Sequence, residues 1–358
     1  MDTRPVPRRA LLSLPPGRIT RRVLLGLALG IPLSALFLWL AVRALDFERV
    51  LEALRRADPV RVGLAVATMT AVYAVQAERW RWIARHEARL PFRRFLGFVI
   101  AGLATNNVVP GRLGELVRAC LLAEAGRTSR PRALATVVVD RIADVLALAA
   151  VLAVSYPFLP HPVWLERLSV VAVPLSLSLA AALAAAWWYS RRSGRRTGGR
   201  LSPRRPSRLR GAVGDLLGAI GRTVSWRDAA VVLPLSLCAW CVWGLSAWLV
   251  ASALGLHLSL LEVAFVTAVL NLGTAIPSSP GFVGTYQWLS VSGLGLLGVG
   301  RPEAFAFSVL MQAVWFVPTT GAGLVLIARS GVSWLARTGF EVQPATGSAP
   351  AMVANRAR

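Results

Sequence analysis

The sequence predicts an all-α polytopic membrane protein with about 6–8 transmembrane helices, two of whose helix pairs are broken, re-entrant and oppositely oriented. Three observations predict it. Apolar residues make up 55% of the 358, Asp, Glu, Lys and Arg only 16%, and mean hydropathy is +0.57; a soluble domain carries about 25% charge. The apolar residues fall into runs near the ~20 residues that a bilayer core requires. The charge is lopsided, with 40 basic against 17 acidic residues, and the basic residues gather between the runs. They do not stripe one face of a compact domain, so the +23 net charge does not point to nucleic acid. The apolar content also excludes a solvated, disordered chain.

The first run, Val23–Val42, follows six arginines in residues 1–22. It exceeds the roughly 7–15 residues of a signal-peptide core, which favours a signal anchor; cleavage near Val42-Arg43-Ala44 is the alternative. Further runs are Val62–Gln76, Phe95–Val109, Ile142–Pro157, Ser169–Tyr189, Ala229–Leu254, Val263–Ile276, Phe282–Val299 and Ala304–Ala328. Arginine in short flanks sets their orientation. Residues 78–94 hold Arg79, Arg81, Arg85, Arg89, Arg93 and Arg94, and residues 190–212 hold nine arginines with no acid. The N-terminus, 78–94, 190–228 and the C-terminus are therefore expected in the cytoplasm, and the protein in the inner (cytoplasmic) membrane.

That orientation constrains the next segment. Arg112, Arg118, Arg127, Arg130 and Arg132 make the end of 110–133 cytoplasmic too, although only one short run separates it from the 78–94 loop. One span cannot start and finish on the same side. The resolution is a hairpin that enters along 95–109, turns at Pro110-Gly111 and returns along 113–123. The second half repeats this from the other face: Val263–Ile276 enters, breaks at Pro277-Ser-Ser-Pro280-Gly281, and returns along Phe282–Val299. Six full spans and two hairpins result, or eight to nine spans if the limbs cross fully. The organisation is a basic N-terminus (1–22), a first membrane half (23–189), a basic Gly/Ser/Pro-rich linker (190–228), a second half (229–328) and a disordered tail (329–358). The linker reads either as a topology signal or as a holder of anionic lipid.

Charge at membrane depth marks a pathway or a pair. Arg112, Glu115 and Arg118 share one helical face after the first break, Asn106 and Asn107 precede it, and Arg141 and Asp144 pair at i, i+3 beside Asp140. One reading is a set of ion pairs locking the hairpin to its neighbour. The other adds a lipid phosphate held bidentately by arginine. The second break carries no charge, but Pro277 and Pro280 remove donors, Gly281 and Gly284 permit close approach, and the helix start after it suits an anion. Cys238 and Cys241 admit a redox or metal pair, or ordinary packing of small apolar residues. His86, His161 and His257 are isolated, so no metal and no cofactor is expected. Asp46 and Glu48 are the carboxylates nearest to an enzyme-like pair, and they have no histidine beside them.

The motifs Asn107-Val-Val-Pro110-Gly-Arg112-Leu-Gly114-Glu115-Leu-Val-Arg118, Asp140-Arg141-Ile-Ala-Asp144 and Pro277-Ser-Ser-Pro280-Gly281-Phe-Val-Gly284 together resemble the lysyl-phosphatidylglycerol synthase transmembrane-region family, the flippase-like integral membrane family. The resemblance runs over about residues 20–330. It implies a protein that moves or handles phospholipids or polyprenyl-linked lipids, with anionic membrane lipids as partners and Asn107, Pro110, Arg112, Glu115, Arg118, Arg141, Asp144, Pro277, Pro280, Gly281, Gly284 and Gln287 as its substrate-binding residues. Gln287 stands where the family usually has Glu, and about 30 residues follow the last span, so synthesis of lysyl-phosphatidylglycerol is not expected. A flippase or transporter is the leading expectation. A non-transporting accessory protein in envelope lipid or glycolipid biosynthesis is the alternative, a lipid-modifying enzyme is a lesser one, and partners include a second copy or enzymes of those pathways. No nucleotide-binding motif is present, so transport is expected to be passive, ion-coupled or partner-driven.

Overall fold

The computed structural model describes residues 31–43, 45–109, 113–158, 226–274 and 278–330, and they form α-helices joined by short turns, with no strand among them. The N-terminus 1–22, the run Ser169–Tyr189, nearly all of the 190–228 linker, the tail beyond 330, His161 and the break residues Pro110, Arg112 and Pro277 lie outside the described residues.

The helices are α1 (Ile31–Val42), α2 (Phe47–Arg56), α3 (Pro59–Ala84), α4 (Phe92–Val108), α5 (Gly114–Gly126), α6 (Arg130–Ser155), α7 (Trp226–Ala253), α8 (Leu260–Gly273), α9 (Thr285–Gly295) and α10 (Arg301–Ser330). Their starts follow from local chemistry. Asp46 and Asp58 accept hydrogen bonds from the first free N–H groups of α2 and α3, and Pro59 fills the first turn of α3, where no donor is needed. Ser259 and Glu262 cap α8 reciprocally. Most of α3, α7 and α10 is long and apolar enough to cross a membrane. The 26 residues of α6 reach about 39 Å at 1.5 Å per residue, but this helix carries Asp140, Arg141 and Asp144 in its middle.

One expectation needs correction. The 78–94 stretch is a loop only over residues 85–91, because α3 continues through Ala84 and α4 already begins at Phe92. Arg79 is therefore a helical residue, and it is fully buried. The helix extends past the apolar run because Arg79 meets aspartates on α6, which removes the reason for the chain to leave the protein interior there.

The sides of the bundle follow from its loops. Asp228 at the start of α7 pairs with Arg85, Thr128 donates to Glu87, and Ala88 packs on Gly126, so the ends of α3, α5 and their neighbours share one end of the bundle. At the other end, Asp58 N–H donates to the Ala253 carbonyl and Arg301 donates to carbonyls of Leu40, Ala41 and Arg43. α4 and α5 fold back on each other, with Gly102 against Gly114 and Arg118; α8 and α9 do the same, with Val266 beside Gly293 and Leu289 beside Gly273. The first hairpin thus opens at the Arg85 end and the second at the Arg301 end. α10 passes both. Two apolar cores form, one around Trp80 between α3, α4, α5 and α6, the other between α3, α7, α8, α9 and α10.

Candidate functional site

Two polar assemblies sit inside this bundle. The first is ionic and belongs to the α4–α5 hairpin. Arg79 donates through Nε to Asp140 Oδ1 at 2.8 Å, and through Nη1 to Asp144 Oδ1 at 2.5 Å and Ser236 Oγ at 3.0 Å. Arg118 of α5 donates to the other oxygen of Asp140 at 2.9 Å and lies 4.2 Å from the centre of the Trp80 ring. Arg141 closes the group, 3.3 Å from Asp140 and 3.4 Å from Asp144. The Trp240 indole donates to Asp144 at 3.2 Å. One aspartate thus bridges two arginines from helices that are not neighbours in sequence. Arg79, Asp140, Asp144 and Arg118 are all buried, whereas the Arg141 side chain remains 42% exposed. Three arginines against two aspartates leave one positive charge, and Glu115 of the same hairpin faces Asn106 at 3.4 Å.

Helical spacing explains the first assembly. Asp140 and Asp144 are one turn apart on α6, as are Ser236 and Trp240 on α7, so each pair points to one side. They stand about 15–20 Å from the starts of their helices at 1.5 Å per residue, which puts the cluster well inside the bundle. In low dielectric such charges survive only when matched and hydrogen-bonded.

The second assembly lies where the hairpin tips meet. Asn107, in the last turn of α4, donates to Thr319 Oγ1 at 3.1 Å and Thr320 Oγ1 at 2.9 Å on α10. Gly281, in the tip of the second hairpin, is so close to Asn107 O that an added Cβ would lie 3.5 Å from it. Gln312 donates to the Gly281 carbonyl at 2.7 Å, Gln287 donates to Gln312, and Gln287 Oε1 accepts the Gly284 N–H at 2.6 Å. Ser34 of α1 accepts the Ser279 N–H at 2.7 Å. Gly284, at φ 87°, presses on the Ser34 carbonyl, 2.1 Å from where a Cβ would stand. Pro318 stands inside α10 beside this seam, where it supplies no N–H, and the Trp315 carbonyl there accepts from Tyr73 at 3.1 Å and Thr319 at 2.7 Å.

The structure therefore divides the residues expected from sequence. Arg118, Arg141 and Asp144 meet in the ionic cluster. Asn107, Gly281, Gly284 and Gln287 belong to the seam, with Pro280 at the start of its short 3₁₀ turn. Glu115 is joined to the break through Asn106, which also accepts the Gly114 N–H at 2.7 Å. Arg79, Ser236, Trp240, Gln312, Thr319 and Thr320 complete the two assemblies without having been expected there. Arg79 had one signal: Met69, Val72, Gln76, Arg79, Trp80 and Ile83 follow one helical stripe. No group of three or more His, Cys, Asp and Glu suited to a metal exists among the described residues.

A family model described as lysylphosphatidylglycerol synthase TM region matches residues 23–323. A UPF0104 membrane protein of Methanothermobacter thermautotrophicus is 26% identical over 316 residues, which cover 79% of this chain and 89% of that protein. A protein named glycosyltransferase AglD, from Haloferax volcanii, is 32% identical over 136 residues, 37% of this chain and only 21% of that protein.

Proposed function

This chain belongs to the lysylphosphatidylglycerol synthase TM region family, and from that premise we propose that it is a translocase of an anionic phospholipid or polyprenyl-linked lipid. The observation that carries the reading is the meeting of two oppositely opening hairpins, Asn107 against Gly281, at mid-bundle. Matched broken elements of this kind mark binding sites in inverted-repeat transporters. Non-helical backbone at membrane depth persists only against protein or a water-filled cavity, and amide and hydroxyl groups of Asn107, Gln287, Gln312, Thr319 and Thr320 supply such a lining. The limbs are then re-entrant, and the Arg85 end of the bundle is cytoplasmic, as the arginine counts favour. In this reading the buried Arg79–Asp140–Arg118 chain locks the first hairpin in place, and Arg141, paired with Asp140 and Asp144 but with a half-exposed side chain, is the cluster member that can also meet a headgroup. No catalytic step is assigned.

Reconstitution into liposomes with fluorescent anionic phospholipids and polyprenyl phosphates tests this. Leaflet exchange faster than in protein-free vesicles is the expected result. Exchange no faster than in those vesicles, for every lipid tried, would leave the accessory role in glycolipid biosynthesis, the reading favoured by the partial likeness to a protein named as a glycosyltransferase.

A further inference from the structure

Between the end of α1 and the start of α3 stands α2, joined to α1 by four residues and to α3 by two. At about 3.6 residues per turn, the ten residues of α2 divide into two arcs. Glu48, Arg49, Glu52, Arg55 and Arg56 fill one continuous arc, and all five are exposed. The apolar residues fill the other arc, but the protein covers only one side of it. Val50 is buried, and Ala53 and Leu54 pack against the core that α10 shares. Phe47 and Leu51, one turn apart on the other side of the arc, are 60% and 48% exposed. They lie between the protein-facing residues and the charged arc.

We propose that α2 lies along the bilayer surface, with Phe47 and Leu51 sunk into the boundary between lipid headgroups and acyl chains. The sides of the helix then meet three surroundings. Val50, Ala53 and Leu54 face protein, Phe47 and Leu51 face lipid, and the charged arc faces water. A helix in the plane of an interface requires this division. The residues flanking α2 set the level of that interface. On α1, Trp39 is exposed and the Arg43 guanidinium stands 5.1 Å from its ring centre, the aromatic and basic composition of a membrane–water boundary. At the start of α3, Arg61 pairs with Asp58, while Val60 and Leu64 are exposed. Exposed apolar side chains therefore continue from Leu36 and Trp39, through Phe47 and Leu51, to Val60 and Leu64. The lipid that covers the flanking helices is the occupant this continuity favours. A second copy of the chain fits less well, because two side chains offer far less than the ~800 Å² per partner of a stable interface.

Depth in the bilayer is read without transport, so this test and the translocase test fail independently. Phe47→Cys, Leu51→Cys, Glu48→Cys and Glu52→Cys are each made in the full-length protein lacking Cys120, Cys238 and Cys241. The variants are spin-labelled and reconstituted into vesicles of phosphatidylcholine and phosphatidylglycerol. Accessibility to oxygen, which concentrates in lipid, is compared with accessibility to a water-soluble nickel chelate. Leu36→Cys on α1 serves as the lipid-facing reference. Labels at 47 and 51 should favour oxygen and read about 5–10 Å inside the headgroup boundary. Labels at 48 and 52 should favour nickel. Nickel accessibility at 47 and 51 equal to that at 48 and 52 would place α2 in water and overturn the proposal. Shielding of 47 and 51 from both probes would overturn it too, by showing that protein covers them. If Phe47→Cys fails to fold, Leu51→Cys against Glu52→Cys decides.

Discussion

Arg79 and Asp140 show what a buried charge requires of its surroundings. Each side chain is essentially inaccessible, and Asp140 is shared by arginines from α3, α5 and α6. Removing one member of such a group strands the others, at about 3–5 kcal/mol. Asp140→Asn keeps the shape and should cost that much, measured as a drop in melting temperature in detergent. Arg55→Ala, on the exposed face of α2, should stay within ~0.5 kcal/mol of wild type. Arg118→Gln should lose stability and transport together if the cluster is a lock; full stability with lost lipid protection would instead assign Arg118 to a headgroup. Arg118, Arg141 and Asp144 were legible in the sequence because charges inside apolar runs stand out. Arg79 was not, because Arg81, Arg85 and Arg89 follow it at a helix end and gave it the look of a cytoplasmic flank.

At the scale of the element, the first hairpin depends on backbones that touch. A Cβ at Gly114 would stand 2.0 Å from the Gly102 carbonyl oxygen, and one at Gly102 would meet Arg118 Cγ at 2.6 Å. Gly114→Ala should therefore destabilise the protein by about 1–3 kcal/mol through overpacking. Gly97→Ala on the same hairpin meets nothing within 4 Å and should stabilise α4 by ~0.5–1 kcal/mol. Thermal unfolding of the two variants checks the pair: a loss of stability at Gly97 or a gain at Gly114 would contradict the close approach. The breaks themselves were readable from Pro110-Gly111 and Pro277–Gly281, since these residues end helices by local sterics. The closeness of the limbs was not, because a glycine in a helix has the same local sequence whether or not another backbone lies beside it.

For the whole molecule, the hairpins open at opposite ends, so exposed residues of the two ends should face opposite sides of a membrane. Arg89→Cys and Arg55→Cys, each in a cysteine-free background, provide the test with a membrane-impermeant maleimide on intact cells. Labelling is expected at position 55 alone, with position 89 labelled only after permeabilisation. Labelling of both from outside would exclude the inverted arrangement. The described contacts also predict that cysteines at Asn107 and Gly281 can be cross-linked, as their backbones approach at the tips.

Composition and run length determined on their own that this chain lives in a membrane, and the Pro/Gly breaks marked where two helix pairs fold back on themselves. Those features are local: hydropathy and helix-breaking chemistry act over a few residues. Packing alone decided that Arg79 would pair with Asp140, 61 residues away, and that Asn107 would meet Thr319, 212 residues away. Local periodicity cannot specify such partners, because a buried charge is satisfied by whichever opposite charge the fold brings within reach, and the same arginine in a loop would have been satisfied by water.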